Sequence, residues 1–290
     1  MSSKPPADVD QATFWNEDGG RRWVEHIDQL ERMLDELSGV LVAAVDARSG
    51  ERVLDVGCGC GQTSLELARR VGPSGAVEGV DISAPMLARA RERARDAGLA
   101  NARFHQADAQ TARFGGDAEG ALPAGFDLVF SRFGVMFFDE PVPAFAHLAR
   151  ALKKGGRVAF VCWRAYEDNA WAHVPREAVA PLAPPQAQEP RAPGPFRFAE
   201  GEWLESLLHE AGLTDVSLAR FDVPMFLGAS LDEAVDMTTQ AGPAARQLAE
   251  VDEDTRARAL SLVRDALSRH VAPDGHVALG TSSWVVTARR

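Results

Sequence analysis

The sequence predicts an α/β fold, in which a seven-stranded, mostly parallel sheet carries helices on both faces and a helical cap. Three observations indicate this class. Short apolar segments alternate with helical segments over residues 53–163, as expected for strands and helices of a parallel sheet. A glycine-rich turn follows the first strand, and acidic residues stand at several strand ends. Open parallel sheets bind ligands at that edge.

The first strand and its glycine turn form the centre of this pattern. Residues 53–56 are apolar except for Asp55, and Gly57, Gly59 and Gly61 follow at alternate positions before a helix with Leu65 and Leu67. Glycines remove the Cβ atoms that would keep a ligand away from the backbone. The start of the helix offers free N–H groups. The spacing differs from G-x-G-x-x-G, because the third glycine comes one residue early.

The remaining elements of the sheet follow in order. Asp81 ends a second strand, Ser83 is expected to cap the next helix with Pro85 in its first turn, and Gly98 is expected to end that helix. The other predicted elements are a third strand and turn at 101–108, a fourth strand at 126–131, a helix at 142–152, a fifth strand at 157–163, a helix at 198–211, a sixth strand at 216–223, two or three helices within 231–270 and a last strand at 276–288.

Two further regions are predicted to lie outside this alternation. Residues 13–41 indicate one or two helices, in which Trp15 and Trp23 either dock the segment on the core or form a lid over a ligand pocket. Six prolines within 181–195 predict a loop. The expected organisation is an N-terminal helical lid at 1–42, a binding core at 43–164, a cap insertion at 165–200, a core continuation at 201–224, a helical cap at 225–275 and a final core strand at 276–290.

Composition and charge restrict the function. The chain has 290 residues, 46% hydrophobic, and a formal net charge of -11, which disfavours a nucleic-acid partner. No apolar run approaches the roughly 20 residues that span a bilayer, and the first ten residues show no signal core, so we expect a cytoplasmic protein. The cysteines Cys58, Cys60 and Cys162 fit a reducing compartment. Cys58 and Cys60 are expected to be small residues of the glycine turn, with a redox or metal pair as the alternative, and no metal is expected.

Five features in order resemble the class I S-adenosylmethionine (SAM)-dependent methyltransferases, of the small-molecule kind related to ubiquinone/menaquinone C-methyltransferases. They are the Asp55 glycine turn, Asp81, Asp108 after the third strand, Asp127 on the fourth strand, and the turn at 152–156. The motifs cover residues 53–163 and the topology extends towards residue 290. The resemblance implies a Rossmann-like sheet, S-adenosyl-L-methionine as cofactor and S-adenosyl-L-homocysteine as product.

The resemblance also implies which residues bind the cofactor. The three glycines would let the backbone approach the methionine part, whose amino group Asp55 would face directly or through water. Asp81 would hold the ribose hydroxyls, while Asp108 would accept from the adenine amino group. The full set implied by the resemblance is Trp15, Trp23, Asp55, Gly57, Gly59, Gly61, Thr63, Asp81, Ile82, Met86, Asp108, Ala109 and Ser131.

Candidates for the methyl acceptor's pocket follow the fourth and fifth strands. Arg132 is expected either to pair with an anionic acceptor or to form a salt bridge with one of the protein's own acids. His173 is the candidate base, with a surface or capping histidine as the alternative. The predicted substrate-binding residues are Arg132, Phe133, Met136, Trp163 and Trp171, and the predicted catalytic residues are His173 and Arg132; Phe133 and Met136 could also be core residues.

The expected function is therefore SAM-dependent methyl transfer to an O, N or C nucleophile of a small, partly apolar metabolite. The alternative is a SAM-binding sensor or partner subunit without methyl transfer, since no base is unambiguous. A nicotinamide-dependent dehydrogenase is opposed by the glycine spacing. The expected partner is a small-molecule acceptor, with no nucleic acid and no membrane span, and homo-oligomerisation is left open.

Overall fold

The computed structural model describes residues 11–117, 119–184, 190–240, 242–245, 247–249 and 251–290. One seven-stranded sheet runs in the order β3-β2-β1-β4-β5-β7-β6. The strands are β1 Arg52–Val56, β2 Ala76–Asp81, β3 Ala102–Gln106, β4 Phe126–Arg132, β5 Leu152–Trp163, β6 Thr214–Gly228 and β7 Val277–Arg289. Strands β1 to β5 pair in parallel, and β7 is antiparallel to both of its neighbours. The predicted fold class is confirmed.

The helices lie on both faces of this sheet. They are α1 Gln11–Asn16, α2 Asp18–Glu25, α3 Ile27–Ala44, α4 Gln62–Val71, α5 Ala84–Asp96, α6 Pro141–Ala151, α7 Ala170–Val179, α8 Gly201–Glu210, α9 Leu231–Gln240 and α10 Glu253–Ser268. Alternate residues of each strand feed two separate cores. Leu54 and Val56 belong to one core, whereas Val53 belongs to the other.

The predicted boundaries differ from the structure most at three places. Strand β5 begins at Leu152, so residues 152–156 belong to the strand and are not the turn that was predicted before a strand at 157–163. The N-terminal segment forms three helices, α1 to α3, where one or two were expected within 13–41. Strand β6 has 15 residues, more than the eight predicted at 216–223, and it pairs along β7 as far as Gly228. Much of its first half is exposed, because β6 is an edge strand and needs no continuous apolar pattern. Pro224 is tolerated within it for the same reason.

The topology places β1 beside β4 at the centre of the sheet, where the strand order reverses. Such a switch point leaves a crevice at the carboxyl ends of the two strands. The loops after β1 and β4 meet there closely. A Cβ atom on Gly57 would lie 2.7 Å from the Cα of Gly134. Only glycine permits this approach of two backbones.

The N-terminal helices pack next to this crevice and are connected to helices from the later part of the chain. Trp15, Trp23 and Ile27 pack with Cys60 and Met86, next to the glycine turn. Helices α7, α9 and α10 pack together on the side of β6 and β7. The two groups are connected, because Glu233 accepts hydrogen bonds from Arg32 at 2.9 Å and Gln29 at 3.3 Å. No described helix combines the length and the apolar character that crossing a membrane would require.

Candidate functional site

The glycine turn after β1 is a bare strip of backbone at the carboxyl edge of the sheet. Gly57, Gly59 and Gly61 all have positive φ, at 69°, 53° and 83°, a conformation that other residues rarely adopt. A Cβ atom on Gly59 would lie 2.9 Å from the terminal methyl of Met86. The turn is therefore held in a shape that keeps side chains off its surface.

Asp55 ends in an unpartnered oxygen beside this turn. Its side chain is completely buried. One oxygen, Oδ2, accepts hydrogen bonds from Ser64 at 2.5 Å and Thr63 at 3.0 Å, whereas Oδ1 has no hydrogen-bond partner among the described atoms. Burial raises the pKa of Asp55 to about 6, against the opposing effect of the two hydroxyl groups. A buried carboxylate oxygen without a donor fits a cationic ligand group.

The carboxylate of Asp81 is fixed between two backbone N–H groups. Oδ2 accepts from the Gly59 N–H at 2.8 Å, and Oδ1 accepts from the Ser83 N–H at 2.8 Å. Burial raises its pKa, although these hydrogen bonds act in the opposite direction. Each carboxylate oxygen can accept a second hydrogen bond. The arrangement leaves an oriented acceptor pair that suits two hydroxyl groups.

The N-terminal helices are attached to the same loop. Asn16 donates to the Ile82 carbonyl at 2.9 Å, and its side-chain oxygen accepts from the Ala84 N–H at 2.9 Å. Ser83 precedes α5 as predicted, but its hydroxyl donates to the Trp15 carbonyl at 2.6 Å and does not cap the helix. Nothing in the sequence singled out Asn16, because its partners lie 66 and 68 residues away.

The two N-terminal tryptophans belong to an aromatic cluster beside the glycine turn. Trp15 contacts Trp23 and Phe137 edge-on, at centroid distances of 6.1 and 5.8 Å. Both tryptophans pack with Met86. The tryptophans therefore dock the N-terminal segment at the loop edge, as one sequence alternative predicts, and a lid over a bound ligand stays a prediction.

The turn after β3 is ordered by its own side chains. Asp108 Oδ1 accepts from the Gln110 N–H at 2.9 Å, and Ala109 is buried. Gln110 in turn accepts from the Asp139 N–H at 2.8 Å, which ties this turn to the loop after β4. The roles predicted for Asp108 and Ala109 towards an adenine ring stay predictions.

Ser131 shapes the turn after β4 from inside. Its hydroxyl donates to the Val56 carbonyl at 2.8 Å and accepts from the Gly134 N–H at 3.2 Å. The residue is buried. It therefore joins the ends of β1 and β4, and these contacts already use its hydroxyl group. Its predicted contact with a cofactor stays a prediction.

Arg132 forms no salt bridge with a described acid, so one of its two predicted roles is not realised, and pairing with an anionic acceptor stays a prediction. Its guanidinium donates to Ser38 Oγ at 2.8 Å and to Gln62 Oε1. Among the described residues, no carboxylate lies within salt-bridge distance of it. Burial lowers its pKa, although Glu31 and Asp55 act in the opposite direction. The side chain points to α3 and the first residue of α4, which sequence reasoning could not determine.

An aromatic wall continues from Phe133 towards the cap; we define it as Phe133, Trp163, Trp171 and Phe196. Phe133 and Trp163 stack with centroids 4.1 Å apart and an interplanar angle of 14°. Trp163 and Trp171 follow at 4.8 Å, and Trp171 and Phe196 at 6.4 Å. Phe133 has φ of 62°. Such strain in a bulky residue marks a place where the surrounding structure imposes the conformation.

A buried asparagine holds the wall in place. Asn169 Oδ1 accepts from the Trp171 indole at 3.0 Å and from the Ser282 N–H at 2.9 Å. Its amide group donates to the carbonyls of Ala165 and Ser282, at 2.8 and 3.1 Å. These four hydrogen bonds connect α7 with β7. No local pattern in the sequence singles out this residue.

Met136 and His173, two further predicted acceptor-site residues, lie in different environments. Met136 is 1% exposed and packs in the main core, so the expectation that it lines a substrate pocket is not supported. His173 lies in α7, with its Nδ1 3.7 Å from Glu177 and its ring 6.1 Å from the ring of Tyr166. Neither contact involves the glycine turn, and a role for His173 as a base stays a prediction.

The opposite edge of the sheet carries paired charges. A groove of about 410 Å³ there is lined partly by Asp127, Lys153 and Arg157. Lys153 lies 2.7 Å from Asp127, and Arg157 lies 2.8 Å from Glu51. Asp127, one of the motif residues, therefore anchors the amino end of β4 and is remote from the glycine turn at the carboxyl ends of the strands.

Comparisons with known proteins agree with this geometry. A protein-family profile described as "Methyltransferase domain" matches residues 53–156. Aklanonic acid methyltransferase DauC from Streptomyces sp. (strain C5) is 40% identical over 121 residues, which are 41% of this chain and 51% of that protein. Ubiquinone/menaquinone biosynthesis C-methyltransferase UbiE from Pseudomonas putida (strain GB-1) is 32% identical over 197 residues, which are 64% of this chain and 72% of that protein.

A solved structure extends the similarity in fold. Phosphoethanolamine N-methyltransferase 2 of Haemonchus contortus, in complex with S-adenosyl-L-methionine, matches with a TM-score of 0.60 at 19% identity, over 99% of this chain and 61% of that one. For several of the curated relatives, the match spans about half of their length or less.

Proposed function

We propose that this chain, which belongs to the class I SAM-dependent methyltransferase family related to UbiE, transfers a methyl group to an O, N or C nucleophile of a small, partly apolar metabolite. Family membership follows from the relative matched over 72% of its length at 32% identity. The observation that supports the proposal most is the buried, unpartnered Oδ1 of Asp55 beside a turn of three positive-φ glycines.

The residues of the site fit the family's cofactor. Asp55 Oδ1 would accept from its amino group, Asp81 would accept from its ribose hydroxyls, and the glycine turn would let the methionine part approach the backbone. Trp15 and Trp23 would cover the cofactor and exclude water. When bound, S-adenosyl-L-methionine supplies an electrophilic methyl group on a sulfonium, so the protein contributes mainly alignment and a dry pocket.

The aromatic wall supports the proposed class of acceptor. Phe133 begins the wall one residue from Gly134, which touches Gly57 of the cofactor turn. Aromatic rings offer large apolar surfaces, and an acceptor with a planar or apolar body would lie against the partly exposed rings of Phe133, Trp171 and Phe196. Trp163 is buried and packs against both Phe133 and Trp171. Relatives named as acting on aklanonic acid and in quinone biosynthesis are consistent with such an acceptor.

The test is release of S-adenosyl-L-homocysteine from the purified protein, supplied with SAM and a fractionated small-molecule extract. We expect release that depends on one fraction, and mass spectrometry of that fraction would identify the methylated product. Asp81→Asn should abolish or strongly reduce release. Asp127→Asn is the matched control, because it removes a carboxylate from the opposite edge of the sheet.

Binding of SAM without release in any fraction would contradict the proposed transfer to a small molecule. Equal loss in both variants would show that the Asp81 effect is not specific to the site.

A further inference from the structure

We propose that Arg132 binds the carboxylate of the cofactor's amino-acid end, opposite Asp55, so that the two side chains together recognise its zwitterion. The inference rests on the proposed function, because it assigns a residue to that cofactor's site. It replaces the expectation that Arg132 binds the methyl acceptor.

The first argument is that the Arg132 guanidinium has no anionic partner among the described side chains. The guanidinium is largely buried, and its described hydrogen bonds go to two uncharged groups, Ser38 Oγ and Gln62 Oε1. Buried guanidinium groups in proteins normally meet a carboxylate or another anion. Arg132 thus has a place for an anion that the described side chains do not fill.

The acids around Arg132 are already engaged. Those that act on it electrostatically are Glu31, Asp55 and Asp35. Arg93 holds both oxygens of Glu31, at 2.5 and 2.9 Å. The Gln62 amide donates to Asp35 Oδ1 at 2.6 Å. Of Asp55, only Oδ1 is left without a hydrogen bond.

The second argument is the position of the two groups. Asp55 and Arg132 are at or next to the carboxyl ends of neighbouring strands, since β1 pairs with β4. Gln62, which accepts from Arg132, is the first residue of α4 and directly follows Gly61 of the glycine turn. Among the described residues, the turn is therefore accompanied by one negative oxygen without a hydrogen-bond donor and one positive group without an ion pair. A ligand end that carries an ammonium and a carboxylate on one carbon satisfies both.

Three ligands distinguish how much the ammonium and the carboxylate each contribute to the binding affinity. SAM carries the ammonium and the carboxylate, decarboxylated SAM carries only the ammonium, and 5′-methylthioadenosine carries neither. Isothermal titration calorimetry with the full chain measures each affinity without turnover, so the result does not depend on finding an acceptor.

Arg132→Gln should weaken the binding of SAM by about 10- to 100-fold, the range expected for hydrogen bonds that involve charged groups. The affinities of the other two ligands should change by less than about twofold. Asp55→Asn should weaken the binding of SAM and decarboxylated SAM, and leave the affinity for 5′-methylthioadenosine unchanged. Arg132→Lys should recover part of the preference for SAM. Arg93→Gln is the matched control: it removes another partly buried arginine that contacts the turn, at the Cys60 carbonyl, and should not change the ratio of the SAM and decarboxylated SAM affinities.

Several results would overturn the inference. They are an unchanged SAM affinity in Arg132→Gln, an equal loss for SAM and decarboxylated SAM in that variant, and equal affinities of the two ligands for the wild-type protein. The last measurement needs no variant, so equal affinities would overturn the inference even if Arg132→Gln does not fold. SAM binding with no methyl transfer would contradict the proposed function and leave this inference standing.

Discussion

Replacing Asp55 by asparagine should stabilise the ligand-free protein and weaken its binding of the cofactor. The pKa of Asp55 is raised by burial from 3.8 to about 6, so the folded state holds this proton more tightly than the unfolded chain does. Below about pH 4 the group is protonated in both states and has no effect. As the pH rises towards 6, the unfolded chain gains from ionisation and the folded state does not. Above pH 6 the charged group therefore destabilises the fold.

The size of this effect follows from the two pKa values. Each tenfold change in proton affinity is about 1.4 kcal/mol, so the free energy of unfolding should fall by up to about 3 kcal/mol between pH 4 and pH 6 because of this group. Asp55→Asn removes the ionisation and keeps a group of similar size beside Thr63 and Ser64. We expect the free energy of unfolding of the variant to be about 1 to 3 kcal/mol higher than that of the wild type at pH 7.5, and equal to it near pH 4.

Urea unfolding of both proteins without ligand, at half-unit steps from pH 4 to 8, measures this difference. The control is Asp127→Asn: although partial burial opposes them, the Arg52 N–H and Lys153 lower the pKa of Asp127. Its contribution has the opposite sign, since it is present above the unfolded pKa and lost as the pH falls through the folded one. A lower stability of Asp55→Asn at every pH, with a constant difference, would refute the reasoning and indicate that Oδ1 already has a partner.

Three other variants test the lid, the wall and the base. Asn16→Ala should raise the dissociation rate of SAM several-fold in stopped-flow measurements, because the lid loses both hydrogen bonds to the loop after β2; an unchanged rate would show that this contact does not retain the cofactor. Asn169→Leu should cost about 1 to 3 kcal/mol in unfolding free energy and raise the KM for the acceptor through Trp171, with SAM affinity unchanged; a loss of SAM affinity would place the effect elsewhere. His173→Ala should lower kcat by about 100-fold or more if the imidazole is the base, and a change below twofold at all pH values would exclude that role.

The cofactor edge was predictable because its signals are local. Asp55 and the glycine turn lie within a few residues of one another, and the alternation of strands and helices fixes the edge at which they meet. What the sequence left open depends on partners distant in the chain. Arg132 meets Ser38, 94 residues away, and Asn169 meets Ser282, 113 residues away. Such contacts depend on the direction of a side chain within the finished fold, which no local pattern records.

The position of β7 determines when the sheet can be completed during synthesis of the chain. β7 follows β6 in sequence but lies between β5 and β6 in the sheet, and it pairs with both. Until β7 leaves the ribosome, β5 presents an open edge and β6 has no strand to pair with. Unpaired edges invite association with other chains. Nascent chains stalled before residue 277 should therefore depend on chaperones, although the cofactor turn has already been made.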